Sequence, residues 1–328
     1  MARLCLVTGD SVAVAIESPT GWTLEEEARG SGAQCLAVDP GAPTLIYIGT
    51  EGHGVLRSTD GGRSWTPAGS FRLTDVYSLA VSPSERRRGR GVVLAGTEPS
   101  ALFRSDDGGT TWVELEGLQS IPSKPQWSFP PRPYTHHVRC IALSAHDPAL
   151  ILAGIELGGV MRSTDGGATW EDHKRGAYAD CHWLATHPKD PGRVYEASGG
   201  GAAMSLDAGA TWRCTDAGLD RRYAWGLAVD PDDPDLAYLS ASPSPMHAHY
   251  GGHAQAALYR RHRGRWEEIG DGLAPPLAVL PMAIAVDASG TVYAGLRNGT
   301  LYRSRDRGDS WEKLPVPALR AILALAVG

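Results

Sequence analysis

The sequence predicts an all-β protein, a seven-bladed β-propeller, and three observations support this fold class. The chain has 328 residues, of which 40 are glycine and 23 are proline, so turn-forming residues are abundant. At the same time 42% of the residues are hydrophobic, which is too many for a disordered chain. The third observation is an internal repeat whose spacing, mostly 42–47 residues, matches one four-stranded propeller blade.

The repeat is defined by a short motif of the form S-x-D-x-G-x-x-W. It occurs as STDGGRSW, SDDGGTTW, STDGGATW, SLDAGATW and SRDRGDSW, beginning at Ser58, Ser105, Ser163, Ser205 and Ser304. The final tryptophans of these copies, together with Trp22 and Trp266 in two weaker copies, are 43, 47, 58, 42, 54 and 45 residues apart. Seven tryptophans at these spacings predict seven blades.

Each complete repeat divides into four short strands. In the first complete repeat these are residues 35–38, 45–49, 54–58 and 64–68. Asp-Pro turns separate the first two strands in several copies, as at Asp39, Asp147, Asp190 and Asp230. The six complete blades are predicted at residues 30–70, 71–118, 134–175, 178–218, 221–270 and 279–317.

The two ends of the chain are predicted to share the seventh blade. Residues 321–327 (AILALAV) have the pattern of an innermost strand without a blade of its own, whereas residues 4–8, 11–16 and 22–26 form three strands without an innermost one. Residues 319–328 and 1–29 therefore complete one blade, and the whole chain is predicted to be a single domain. Closing the ring in this way removes open strand edges.

The repeated motif resembles the Asp-box, or BNR, repeat of sialidases, sortilin-like receptors and photosystem II assembly factors, over nearly the whole chain. We expect the aspartate to accept hydrogen bonds within its own turn, the glycines to supply positive φ angles, and the tryptophan to pack at the blade edge. The resemblance does not extend to typical sialidases, which are six-bladed and carry an R-I-P motif and an arginine triad. No R-I-P occurs here, and only Arg139 and Arg297 are good candidates for arginines at the channel mouth.

In propellers of this type, ligands sit at the mouth of the central channel, where the first strand of each blade begins. Aligning the repeats gives one residue per blade at this position. The seven residues are Gln34, Tyr77, Arg139, His182, Trp225, Met282 and Leu323. Five of the seven are polar or aromatic, whereas the position two residues further on is uniformly apolar, as expected for the rim of a binding pocket.

The loops between the second and third strands supply a second ring at the same mouth. Counting seven residues back from each repeat serine gives Glu51, Glu98, Glu156, Ser198 and Arg297. Further candidates nearby are His53, His136, His137 and Asp180. Two long segments are predicted to border the mouth: residues 242–257, which carry His247, His249 and His253, and the proline-rich residues 122–133.

The sequence favours an enzyme, a hydrolase or lyase acting on a small polar, carbohydrate-like substrate. Glu98 and Glu156 are the candidate catalytic carboxyls, with His137 or His182 as the second acid–base group. We expect the clustered carboxyls to raise each other's pKa, so that one stays protonated. The candidate substrate-binding residues are Tyr77, Arg139, Trp225, Glu51, His53 and Arg297.

Two alternatives stay open at this stage. The cofactor is unknown; a divalent metal ion could be held by His182 and Glu156, or by a clamp of His247, His249 and His253. Alternatively, the propeller is a non-catalytic scaffold that binds a ligand or another protein, as the assembly factors and receptors do.

Charge and cysteine content restrict the remaining function classes. The 31 basic and 37 acidic residues give a net charge of −6, which argues against nucleic-acid binding. The N-terminal residues do not form a good secretory signal, and no apolar run is long enough to span a membrane. The five cysteines include no C-x-x-C pair. We therefore expect a cytoplasmic monomer with reduced cysteines that associates with neither membrane nor nucleic acid.

Overall fold

The computed structural model describes residues 1–69, 74–250, 252–273, 275–317 and 319–328, and its regular secondary structure is almost entirely antiparallel β-strand. In chain order the strands are β1 Arg3–Val7, β2 Val12–Ser18, β3 Gly21–Glu27, β4 Ala33–Asp39, β5 Ala42–Thr50, β6 Val55–Ser58, β7 Thr66–Pro67, β8 Asp75–Arg87, β9 Arg90–Glu98, β10 Leu102–Ser105, β11 Val113–Glu114, β12 Val138–Leu143, β13 Ile151–Ile155, β14 Gly159–Ser163, β15 Cys181–Thr186, β16 Val194–Ser198, β17 Gly201–Ser205, β18 Arg213–Cys214, β19 Tyr223–Val229, β20 Ala237–Ser242, β21 Ala257–His262, β22 Arg265–Ile269, β23 Pro281–Val286, β24 Val292–Leu296, β25 Leu301–Ser304, β26 Glu312–Lys313 and β27 Ala324–Val327. Short helical segments are α1 Pro245–His249 and two 3₁₀ turns, Glu116–Ser120 and Lys124–Gln126.

The strands form seven sheets, which confirms the predicted seven-bladed propeller. Blades 1 to 6 are β4–β7, β8–β11, β12–β14, β15–β18, β19–β22 and β23–β26. In blade 3 a backbone bridge between Arg162 and Glu171 takes the place of a fourth strand. The predicted boundary between the first two blades, at residues 70 and 71, lies outside the described residues.

Blade 7 is built from both ends of the chain, so the predicted closure is also confirmed. Its strand order is β27-β1-β2-β3. The innermost strand β27 pairs antiparallel with β1, with Leu4 opposite Val327 and Val7 opposite Ala324. It also contacts β23 and β4, the innermost strands of the blades on either side. The ring is therefore closed by backbone hydrogen bonds between the two chain ends.

The repeated motif forms the same turn five times. In the copy at Ser163, the serine Oγ donates to Asp165 (2.8 Å) and accepts from the Gly167 N–H (2.8 Å). The Asp165 carboxylate in turn accepts from the backbone N–H (2.9 Å) and the hydroxyl (2.5 Å) of Thr169. The other four copies repeat these contacts around Asp60, Asp107, Asp207 and Asp306. The aspartates thus hold turns together, as the sequence predicts.

Each repeat tryptophan packs at the interface between its own blade and the preceding one. Trp112 of blade 2, for example, packs against the cluster that contains Tyr47 and Ala68 of blade 1. The same relation holds for Trp22, Trp65, Trp170, Trp212, Trp266 and Trp311. The repeat therefore carries both the turn and the contact that joins neighbouring blades.

Replacing a repeat serine is expected to destabilise the protein. Ser163 is 1% exposed, and in Ser163→Ala the buried Gly167 N–H loses its acceptor. The free energy of unfolding should fall by about 1–3 kcal/mol, the cost of an unsatisfied buried polar group. Urea titration measures this, with Thr20→Ala at an exposed hairpin turn as the control. Equal midpoints for both variants would contradict the role given to the serine.

The repeat aspartates should also make the fold sensitive to acid. Hydrogen bonds from Thr169 and Ser163 lower the pKa of Asp165 to about 2, from an ordinary value of 3.8. Because the folded-state pKa is the lower one, the stabilisation is complete above about pH 4 and is lost as the pH falls towards 2. In urea titrations, the difference in midpoint between wild type and Asp165→Asn should narrow over this range. A difference in midpoint that stays constant from pH 4 to pH 2 would contradict the lowered pKa of Asp165.

Candidate functional site

A β-bulge interrupts the first strand of each complete blade at the residue that the repeat alignment places on the rim. In blade 3, for instance, Val138 pairs with Ile155 and Cys140 with Gly154, so that Arg139 is left out of the register. The bulged positions are Gln34, Tyr77, Arg139, His182, Trp225 with Gly226, and Met282. Since a bulge redirects the side chain of the extra residue, six blades turn one side chain each out of the strand pattern near the channel.

These residues surround a cavity of about 730 Å³ at the mouth of the central channel. Six of the seven predicted rim residues line it, and His182 does not, because its side chain is completely buried behind the wall. From the predicted second ring, Glu156 and Arg297 line the cavity. Further lining residues are Phe129, His137, Asp180, Tyr223, His249 and Tyr250. The cavity is large enough for a small organic ligand.

Five ionisable side chains form a continuous chain that leads into this cavity. His137, Glu156 and Arg139 line the cavity, whereas Arg132 and the predicted catalytic residue Glu98 do not. Arg132 makes a bidentate contact with Glu98 (2.9 and 2.8 Å). His137 lies between two carboxylates, with Nδ1 at 3.3 Å from Glu98 Oε2 and Nε2 at 3.1 Å from Glu156 Oε2. Arg139 Nε follows at 3.8 Å from Glu156 Oε2. Positive and negative groups therefore alternate from blade 2 to blade 3.

This alternation sets the protonation states of the two carboxyls. Burial raises the pKa of Glu98, but its contacts with His137 and Arg132 outweigh burial and hold the pKa below its ordinary value. Burial likewise opposes ionisation of Glu156, yet His137, His182 and Arg139 together lower the pKa of this group to about 2. The expectation that the carboxyls raise each other's pKa is therefore wrong, because His137 separates them.

The pKa of His137 is shifted in the opposite direction to those of the two carboxyls. Burial lowers the pKa of its imidazole, but the contacts with Glu156 and Glu98 prevail and raise the pKa above the ordinary value. The ring is further held by stacking on Tyr77, with ring centroids 5.0 Å apart, and by the edge contact with Phe129 at 4.9 Å. The two carboxylates therefore favour the protonated form of the His137 imidazole that lies between them.

A second group lies on the blade 4 side of the same cavity. Glu156, Asp180 and His182 each offer a ligand atom, and these atoms lie within 4.8 Å of one another. Among the described residues they are the only three or more acidic, histidine or cysteine side chains brought together in this way. Asp180 lines the cavity, whereas His182 is held behind it by Trp225 and Tyr223, at 4.5 and 4.9 Å between ring centroids.

The two long segments both border the mouth, as predicted. From residues 122–133, Phe129 lines the cavity, whereas Trp127 is buried and contacts His136. From residues 242–257, α1 brings His249 to the cavity, where its Nε2 lies 2.9 Å from the Tyr223 hydroxyl. Burial and the nearby charge of Arg297 lower the pKa of His249 to about 4. This histidine is therefore neutral at physiological pH.

Several predicted site residues lie elsewhere. Glu51 and His53 are exposed and do not line the cavity, and Ser198 is buried and does not line it either. The histidine clamp is not formed: His247 contacts Ser244 through Nδ1, whereas His249 turns to Tyr223 and His253 is exposed. The reason is the helix α1, since residues two apart on a helix point in different directions.

Two functional candidates were not predicted from the sequence. Arg132 comes from the proline-rich segment between blades 2 and 3, and its guanidinium also lies 3.2 Å from the Tyr77 hydroxyl. Tyr223 begins β19, two residues before the bulge. Only the repeat alignment could have indicated Tyr223, and no repeated pattern covers Arg132.

Comparison with known proteins supports the fold and leaves the activity open. The profile of the strictosidine synthase-like, N-terminal family matches residues 280–304, a segment that contains β23 to β25. A search of curated proteins finds no match. No helix among the described residues is long and apolar enough to cross a membrane.

The solved structures that resemble this chain include GH74 enzymes and YCF48. A GH74 xyloglucanase from Xanthomonas campestris is 20% identical with a TM-score of 0.62, and the alignment covers 86% of this chain and 45% of the xyloglucanase. A GH74 enzyme from Niastella koreensis is 16% identical with a TM-score of 0.68, and the alignment covers 95% of this chain and 54% of that enzyme. YCF48 from Cyanidioschyzon merolae is 14% identical with a TM-score of 0.59, and the alignment covers 86% of this chain and 85% of YCF48. The chain thus spans about half the length of these GH74 structures, and identities this low establish the fold alone.

Proposed function

We propose that the protein is a hydrolase or lyase that acts on a small polar, carbohydrate-like substrate in the mouth cavity. The observation that carries this proposal is the alternating chain of Arg132, Glu98, His137, Glu156 and Arg139, whose last three members line the cavity. Buried ion pairs contribute little to stability, because desolvation offsets their attraction. Titratable groups with shifted pKa values in a cleft are instead typical of active sites.

The lining of the cavity supports the substrate class. Tyr77, Trp225 and Met282 provide aromatic and apolar surface, whereas Gln34 and Arg139 provide hydrogen-bond donors. A ligand with flat apolar faces and several hydroxyl groups, such as a sugar ring or a lactone, matches such a mixed surface. The Arg139 guanidinium lies 4.8 Å from the Trp225 ring centroid, which fixes the direction of its remaining N–H groups.

The protonation states suggest a division of roles. Ionised Glu156 can stabilise positive charge that develops on the substrate, and protonated His137 can supply a proton. Glu98 lies 3.3 Å from His137 Nδ1 without hydrogen-bond geometry, so its negative charge favours the protonated ring. Because the imidazole occupies the space between the two carboxylates, Glu98 and Glu156 do not face each other across a substrate in the manner of the usual glycosidase pair.

A panel of fluorogenic glycosides and lactones tests this proposal. We expect the wild type to turn over at least one compound, and Arg139→Gln to raise KM for it by about tenfold, the loss of one charged hydrogen bond. Glu51→Gln, which removes an exposed charge outside the cavity, serves as the control. Absence of turnover across the panel, with no ligand raising the melting temperature, would argue against an enzyme of this class.

A non-catalytic binding scaffold is the second candidate, and one observation favours it. Met246 and Tyr250, at and just after α1, are 64% and 61% exposed beside the mouth. Exposed apolar side chains at a rim suit a peptide ligand, and one similar structure is described as YCF48 bound to D1 peptide (16% identity, TM-score 0.59). Peptide binding that Met246→Ser and Tyr250→Ser abolish, but Arg139→Gln does not, would favour this alternative.

A further inference from the structure

We propose that Glu156, Asp180 and His182 form a binding site for a divalent transition-metal cation in the wall of the mouth cavity. The three side chains come from blades 3 and 4, and their nearest ligand atoms lie within 4.8 Å of one another. Two carboxylates and one imidazole would supply three ligands, and the side open to the cavity leaves positions for water or substrate.

The orientation of His182 carries the proposal. Its Nδ1 lies 2.7 Å from the Ala224 carbonyl oxygen, which only accepts, so Nδ1 bears the hydrogen. In the form of the ring that can bind a metal, Nε2 is then the nitrogen with the lone pair, and it lies 3.4 Å from Asp180 Oδ1. A histidine that ligates a metal has this arrangement, with its other ring N–H held by a carbonyl or carboxylate.

Nε2 of His182 has no hydrogen-bond partner even though the residue is completely buried. Its nearest acidic atom is Asp180 Oδ1 at 3.4 Å, without hydrogen-bond geometry. A buried lone pair facing a carboxylate is costly unless a cation lies between them. A cation bound to both atoms would remove this cost and satisfy the only unpaired nitrogen of the ring.

The surrounding structure holds the three ligands in place. His182 is the bulged residue of β15, and its ring packs against both Trp225 and Tyr223. Glu156 is held through its contact with His137, at the end of β13. Asp180 is the most exposed of the three, at 29%, and gives access from the cavity. Such support limits the reorganisation that binding would require.

The donor set indicates the kind of cation. Carboxylates suit hard and borderline ions, whereas an imidazole ligand disfavours Mg²⁺ and Ca²⁺ relative to Mn²⁺ and Zn²⁺. Glu156 also contacts His137 and Arg139, which compete with the cation for this carboxylate. A metal bound here would polarise a substrate oxygen; that catalytic use rests on the proposed function, whereas cation binding itself does not.

Calorimetric titration of the chelator-treated, full-length protein with MnCl₂, and separately with MgCl₂, tests the site. We expect one saturable Mn²⁺ site per chain, with Mg²⁺ at least about tenfold weaker. Asp180→Asn and His182→Gln should each weaken Mn²⁺ binding by about tenfold or more, whereas Glu51→Gln, which also removes a negative charge, should leave it unchanged. Asp180 is partly exposed, so Asp180→Asn is informative even if His182→Gln does not fold.

The proposal is overturned if Mn²⁺ does not bind, or binds equally well to Asp180→Asn and wild type. Metal binding without any substrate turnover would support the cation site while contradicting the proposed enzyme. Turnover that persists at full rate after chelation, in protein shown to bind no Mn²⁺, would overturn the cation site and leave the proposed enzyme standing.

Discussion

Deletion of residues 321–328 is expected to open the propeller and cause the protein to unfold or aggregate. These residues include the whole of β27, which pairs with β1 and contacts the innermost strands of both neighbouring blades. The deletion also removes Ile322, which is completely buried. An open ring exposes the unpaired edge of β1, and such an edge is prone to pair with other chains.

The effect of this deletion can be measured by thermal unfolding and by the soluble fraction after expression. A variant that lacks only Gly328 is the matched control, since it ends at the same strand without shortening it. We expect the longer deletion to abolish the cooperative transition of the wild type. A truncated protein with an unchanged melting temperature would show that the ring does not depend on this strand.

Glu156→Gln is expected to reduce turnover of a responding substrate by at least about a hundredfold, mainly in kcat. The substitution keeps the shape of the side chain but removes the charge that faces His137 and Arg139, and electrostatic stabilisation of this kind is worth about 10²–10³ in rate. Steady-state kinetics measures the change, with Glu51→Gln as the charge-matched control. A change in KM alone would indicate that Glu156 only binds the substrate.

The fold could be predicted from the sequence because each blade solves the same local problem with the same residues. The serine, aspartate and glycines of the motif make their contacts within about five residues, so the sequence itself contains both partners. The tryptophan spacing then counts the blades. Closure could be predicted as well, because one end of the chain lacked an innermost strand and the other end supplied one.

The rim of the site could be predicted for the same reason, whereas its chemistry could not. Repeat alignment found the bulged positions, including Tyr77, Arg139 and Trp225, although it gave no indication of the bulges themselves. The protonation of Glu98 depends on Arg132, which reaches it from a segment outside the repeats. No periodic pattern specifies such a contact, so the direction of the pKa shift was predicted incorrectly.

The histidine-rich segment shows the corresponding limit for metal sites. A spacing of two residues between His247 and His249 suits a metal only in an extended strand, and here both lie in α1. The triad of Glu156, Asp180 and His182 instead combines two blades, and its third ligand became apparent only from the distances between side chains.

The functional role of the mouth cavity is tested most directly by a crystal structure with the tightest-binding glycoside or lactone from the panel. We expect the ligand to lie in the cavity, with at least one of its oxygens within about 3.2 Å of the Arg139 guanidinium or the Glu156 carboxylate. A ligand bound at the opposite face, among the repeat turns, with the mouth cavity empty, would contradict that role.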